Sequence, residues 1–149
     1  MILLGASAGG HLAMLQGYKN STGLTVRAIV NFFGPADMTD MYNNPASIFA
    51  PAAAIAAVVG ATPASNPTLY FQSSPINFVT STSAPTITLQ GGLDPLIRPA
   101  QQVALNNKLT TAGVIHEYVF YPNEYHGWQG TNLVYSFDRI QTFITANVQ

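Results

Sequence analysis

The sequence predicts an α/β domain of about four parallel strands with flanking helices, and three observations carry that expectation. Four short, apolar, β-prone runs each end at glycine or proline. Segments with helical character lie between them. The 149 residues make one domain's worth of chain, long enough to bury a core. Short apolar runs closed by such breakers read as buried strands. Strands that alternate with helices argue for a parallel sheet.

The first run, Ile2-Leu3-Leu4, leads directly into Gly5. Gly10 to Tyr18 follows and is apolar on most sides, as a helix packed closely on a sheet requires. Val26 to Phe33 is the second strand and stops at Gly34-Pro35. The stretch from Asp40 to Ser83 is less regular and rich in Ala, Pro, Asn and Ser. It reads as an insertion of short helices within a single domain spanning 1–149, of the kind that shapes a substrate pocket. Thr86 to Leu89, between Pro85 and Gly91-Gly92, is the third strand. Pro99 suits a first helical turn and Gly113 a C-terminal stop, with Leu105, Leu109 and Ala112 in one stripe between them. Glu117 to Tyr121 is the fourth strand, stopped by Pro122. The last helix, from about Asn132 to Ala146, places Leu133, Phe137, Ile140 and Ile144 on one face.

The sharpest chemical signal is Gly5-Ala6-Ser7-Ala8-Gly9-Gly10. A G-x-S-x-G string after a strand and before a helix is the context of a nucleophile elbow. The abrupt turn exposes Ser7 and crowds its neighbours, so Gly5 and Gly9 are expected to be required. It also points the Ala8 N–H at a developing oxyanion. The plain alternative is a tight turn with close helix packing. A phosphate cradle would need a Gly-Lys-Ser/Thr that does not follow.

A nucleophilic serine needs a base and a carboxylate to orient it. His11 lies inside the elbow helix and reads as a packing or hydrogen-bonding residue, while His116 precedes the fourth strand at the wrong end. His126 follows that strand in Pro122-Asn123-Glu124-Tyr125-His126-Gly127-Trp128, at the edge where parallel sheets gather their sites. Among the six carboxylates, Asp37 and Asp94 each follow a strand's C-terminal end. The order Ser, Asp, His on successive strand ends favours Asp94, in Gly91-Gly92-Leu93-Asp94-Pro95. Asp138 reads as a solvated charge, Glu117 as beginning a strand at the wrong end, Asp40 as a turn or cap residue, and Glu124 as too near His126 to orient it.

Taken together, G-A-S-A-G-G-H-L-A, L-Q-G-G-L-D-P-L-I-R-P and Y-P-N-E-Y-H-G-W resemble the α/β-hydrolase serine esterases. The likeness is to their carbohydrate- and feruloyl-esterase-like branch, near the hormone-sensitive-lipase and prolyl-oligopeptidase relatives. N-P-T-L-Y and S-P-I-N-F-V extend it over nearly the whole chain. The resemblance implies a truncated α/β-hydrolase fold, with Ser7, Asp94 and His126 as nucleophile, acid and base. It also implies that the chain opens inside the family's fifth strand, without the earlier strands or the H-G-G-type oxyanion loop. The expected activity is hydrolysis of small or short-acyl carboxylic esters through an acyl-enzyme. A prolyl-oligopeptidase-like peptidase and a non-catalytic remnant are the alternatives.

Composition narrows the partners. Charged residues make up 7%, against about 25% in a typical soluble domain. With so little charge and a bare first strand, a homodimer or higher homo-oligomer through the N-terminal strand edge is expected. Five basic and six acidic residues, unclustered, argue against nucleic acid. The apolar run Ala50 to Ala61 contains Pro51 and falls short of the roughly 20 residues a membrane span needs. Met1 to Leu4 lacks the basic flank and length of a secretory leader. Asn20-Ser21-Thr22 fits the N-glycosylation pattern, a triplet common by chance. The chain has no cysteine, and no motif calls for a metal or cofactor.

Overall fold

The computed structural model describes residues 1–19 and 23–148. The Asn20-Ser21-Thr22 triplet lies outside the described residues. Four parallel strands, β1 (Ile2–Ala6), β2 (Ala28–Phe32), β3 (Thr86–Gly91) and β4 (His116–Tyr121), pair in sequence order. The central β2 and β3 are buried at every position, including the polar Asn31 of β2 and Thr86, Thr88 and Gln90 of β3.

Adding strands always in one direction puts right-handed crossovers on one face. Accordingly α1 (Ala8–Lys19) and α5 (Pro99–Ala112) share a face, where Met14, Tyr18, Ile29, Leu105 and Leu109 form the larger core. The final helix, α6 (Gly130–Asn147), follows the last strand and folds onto the opposite face, with Val30, Ile87, Leu89, Ile140 and Phe143 packed beneath it. Gly113 caps α5 in the left-handed conformation that glycine tolerates best.

Between β2 and β3 lie α2 (Met38–Asn43), α3 (Ala52–Val59), α4 (Pro67–Gln72) and a 3₁₀ turn, Pro75–Phe78. They enclose a small core of their own around Met38, Ile55 and Tyr70. No described helix is long and apolar enough to cross a membrane.

Two details depart from the sequence reading. Phe137, expected on the buried face of α6, is 51% exposed. It borders a groove with Leu4 and Ala6 of β1. Along β1, Leu3 packs into the α1 side, whereas Ile2 and Leu4 on the other side are 42% and 55% exposed.

Candidate active site

Ser7 stands at the turn between β1 and α1 with φ +54°. Left-handed backbone is uncommon for a residue with a side chain, and such strain persists only where the surroundings impose it. Here Ser7 N–H donates to the Phe32 carbonyl (2.8 Å) and its own carbonyl accepts from His11 N–H (3.0 Å). A Cβ at Gly5 would sit on the Gly9 carbonyl, and one at Gly10 would lie 2.5 Å from Asn31 Oδ1. Gly9 itself faces open space. The crowding expected at Gly5 and Gly9 therefore falls on Gly5 and Gly10, because α1 presses position 10, not position 9, against the β2 exit.

The structure brings Ser7, Asp94 and His126 together from the C-terminal ends of β1, β3 and β4. His126 Nε2 is 2.8 Å from Ser7 Oγ, and His126 Nδ1 is 2.8 Å from Asp94 Oδ2. A carboxylate only accepts, so the ring proton belongs on Nδ1, leaving the Nε2 lone pair for the serine hydroxyl. Asp94 Oδ1 accepts from the N–H groups of Leu96 (2.8 Å) and Ile97 (2.9 Å). The Asp94 side chain is fully buried and that of His126 is 16% exposed. Burial pushes the Asp94 carboxyl up, but hydrogen bonds from His126, Ile97 and Leu96 hold it below the usual carboxylate value.

The two loops meet because Gly91 and Gly92 have no side chains. A Cβ at Gly91 would strike the carbonyls of Glu124 and Tyr125, and one at Gly92 the carbonyl of Pro122. In that close approach Leu93 N–H donates to Glu124 O and Gly92 N–H to Tyr121 O, each 2.8 Å. Phe33, at φ +42°, lays its ring against the His126 imidazole with centroids 4.6 Å apart.

The other candidates lie elsewhere. Asp37 is the N-cap of α2 and accepts from the N–H groups of Thr39 (2.9 Å) and Asp40 (3.0 Å). His11 Nε2 meets the Ser73 carbonyl at 2.7 Å, tying α1 to the insertion. His116 bonds locally to Val114 O, and Glu117 pairs with Arg139. Glu124 accepts from Asn132.

Sequence reasoning missed a set of buried glutamines. Gln102 bridges Asn31 and the Gly34 carbonyl. Gln101 accepts from Ala36 and Asp37 N–H and donates to Asp37 O and Asp40. Together they fix the loop that leaves β2. The available signal was two adjacent glutamines in the first turns of a helix after Pro99, a weak one because such positions are usually solvated.

Beside Ser7 lies a cavity of about 270 Å³. Ala8 and His11 form its α1 wall, Met38, Met41 and Ile55 come from the insertion, and Ile97 from the Asp94 loop. Ala8 opens α1, where the first N–H groups have no intrahelical partner.

A parallel sheet whose strand-to-helix turn lifts a strained serine toward a histidine defines an α/β-hydrolase. The BD-FAE family model matches residues 1–109, and the chain belongs to that family. It is 28% identical over 137 residues to Esterase LipQ of Mycobacterium tuberculosis, matching 85% of this chain and 32% of that protein. Among solved structures, a truncated carbohydrate esterase from gut microbiota superposes with TM-score 0.79 at 26% identity, over 98% of this chain and 59% of that one. The acylaminoacyl peptidase of Pyrococcus horikoshii shares the fold, with TM-score 0.81 at 16% identity, over 98% and 23%. The chain thus spans about a third of its curated relative.

Proposed function

We propose that the chain is a carboxylic-ester hydrolase working through Ser7, His126 and Asp94. The observation that carries this reading is the unbroken relay Asp94 Oδ2–His126 Nδ1, His126 Nε2–Ser7 Oγ, both steps 2.8 Å. His126 Nε2 takes the Ser7 proton as Oγ attacks the ester carbonyl. The Ala8 N–H, reinforced by the start of α1, receives the developing oxyanion. As the tetrahedral adduct collapses, His126 returns the proton to the departing alcohol. Water, deprotonated by the same imidazole, then cleaves the acyl-enzyme.

The leaving alcohol must lie within reach of His126. The apolar cavity is walled by Ser7 and Ala8 instead, which makes it the acyl side. Its lining of methionine and aliphatic side chains suits a short or medium uncharged acyl group. Hydrolysis of a p-nitrophenyl ester series tests the reading. Wild type is expected to turn over short acyl esters, and Ser7→Ala to lose at least about 10³-fold while folding normally. A serine-directed phosphonate should label Ser7 alone. Cleavage of aminoacyl nitroanilides would favour a peptidase instead, and a folded protein inert to both reagents a non-catalytic remnant.

We also propose that two copies associate through β1. The support is its exposed apolar side, Ile2 and Leu4, continuous with exposed Phe137 on α6. An apolar strip rimmed by so few charges suits self-association.

A further inference from the structure

We propose that Gln90 is a positioning residue for the Ser7–His126–Asp94 relay, an inference that rests on the esterase reading. Gln90 lies near the end of β3 and is fully buried. Its Nε2 faces three oxygens: Gly91 O at 2.9 Å, Asp94 Oδ2 at 3.1 Å and Ile97 O at 3.2 Å. Its own Oε1 is buried without a hydrogen-bond partner among the described residues.

That arrangement is costly for a residue whose only task is packing. An unpaired buried carbonyl costs stability that an apolar side chain of the same length would avoid. Turning the amide over does not help, because Oε1 would then face three acceptors. The nitrogen end is therefore fixed, and the polar group is held where it meets Asp94.

The oxygen it meets matters most. Asp94 Oδ1 is already anchored by two backbone N–H groups, but Oδ2 is the atom that bonds His126. Gln90 gives Oδ2 its second donor. With both oxygens doubly bonded, the carboxylate cannot rotate about its terminal torsion without breaking hydrogen bonds in a dry site. The Nδ1 proton of His126 then sees an acceptor of fixed direction, which keeps Nε2 aimed at Ser7 Oγ. The contacts to Gly91 O and Ile97 O hold the loop on either side of Asp94 to the same amide.

The test uses the full chain and Gln90→Met, which keeps length and removes both amide atoms. With a short p-nitrophenyl ester, kcat is expected to fall about tenfold while KM stays within twofold. The Tm should change little, since loss of the unpaired carbonyl offsets loss of the donor to Gly91 O and Ile97 O. Without substrate, proton NMR should show the His126 Nδ1 proton exchanging with water several-fold faster in the variant. Unchanged kcat with unchanged exchange in a folded variant would overturn the inference, as would a loss of kcat that merely tracks a loss of Tm. If wild type hydrolyses no ester yet the exchange rate responds as expected, the esterase reading fails and the positioning role stands.

Discussion

Each Asp94 oxygen carries two hydrogen bonds, so replacing one oxygen by an amide nitrogen is felt immediately. Asp94→Asn puts either a donor against His126 or a donor against the Leu96 and Ile97 N–H groups. Esterase activity should drop by roughly 10⁴-fold, the size of effect expected when the imidazole loses its tautomer-fixing carboxylate. Asp37→Asn is expected to keep activity within a few-fold and cost well under about 1 kcal/mol in thermal unfolding, since asparagine also caps helices. Linkage gives a second reading of the same site. Because the folded Asp94 carboxyl titrates below its ordinary value, its stabilising contribution is complete above the unfolded pKa, about 3.9, and is lost as pH falls through the lower folded value. The Tm gap between wild type and Asp94→Asn should therefore narrow on acidification below about pH 4. At this scale Ser7 and His126 were legible because G-x-S-x-G and a lone histidine past a strand end leave few competitors. Gln90 was not, since a glutamine inside an apolar strand gives no hint of which atoms its amide will meet.

Elements were legible wherever glycine or proline set a boundary. β1 to β4, α1, α5 and α6 all fall where the apolar runs and breakers place them, with ends shifted by a few residues. The stretch after Asp40 showed only that short helices were to be expected, because α2, α3 and α4 are too brief to display a period. Of the elbow glycines, Gly5 is crowded as expected, whereas the second was misassigned by one position for a reason that belongs to packing. Position 10 faces Asn31 Oδ1, which Gly34 N–H holds at 2.9 Å, and so cannot yield. Gly10→Ala is therefore expected to destabilise by about 1–3 kcal/mol with loss of activity. Gly9→Ala, in open space within a helix, should gain about 0.4–1 kcal/mol. Thermal unfolding of the pair checks both, and equal effects would mean that the α1–β2 contact does not constrain the turn.

For the whole molecule, the exposed side of β1 makes self-association a measurable matter. Light scattering at micromolar concentration should give at least twice the 15.9 kDa chain mass. Leu4→Glu should shift that toward one copy, whereas a charge at Leu3, which packs into the core beside α1, would unfold the chain instead. A monodisperse monomer of wild type would remove the proposal. The sheet order has a consequence for how activity is acquired. The Ser7–His126 hydrogen bond joins residues 119 apart, across every strand of the sheet. Closing so long a loop costs entropy that only the assembled β2–β3 core can offset. On the esterase reading, a growing polypeptide is therefore expected to stay inert until β4 has docked and its loop has settled over Gly91 and Gly92. In refolding from denaturant, recovery of ester hydrolysis should follow the slowest structural phase, making turnover a clock for completion of the fold.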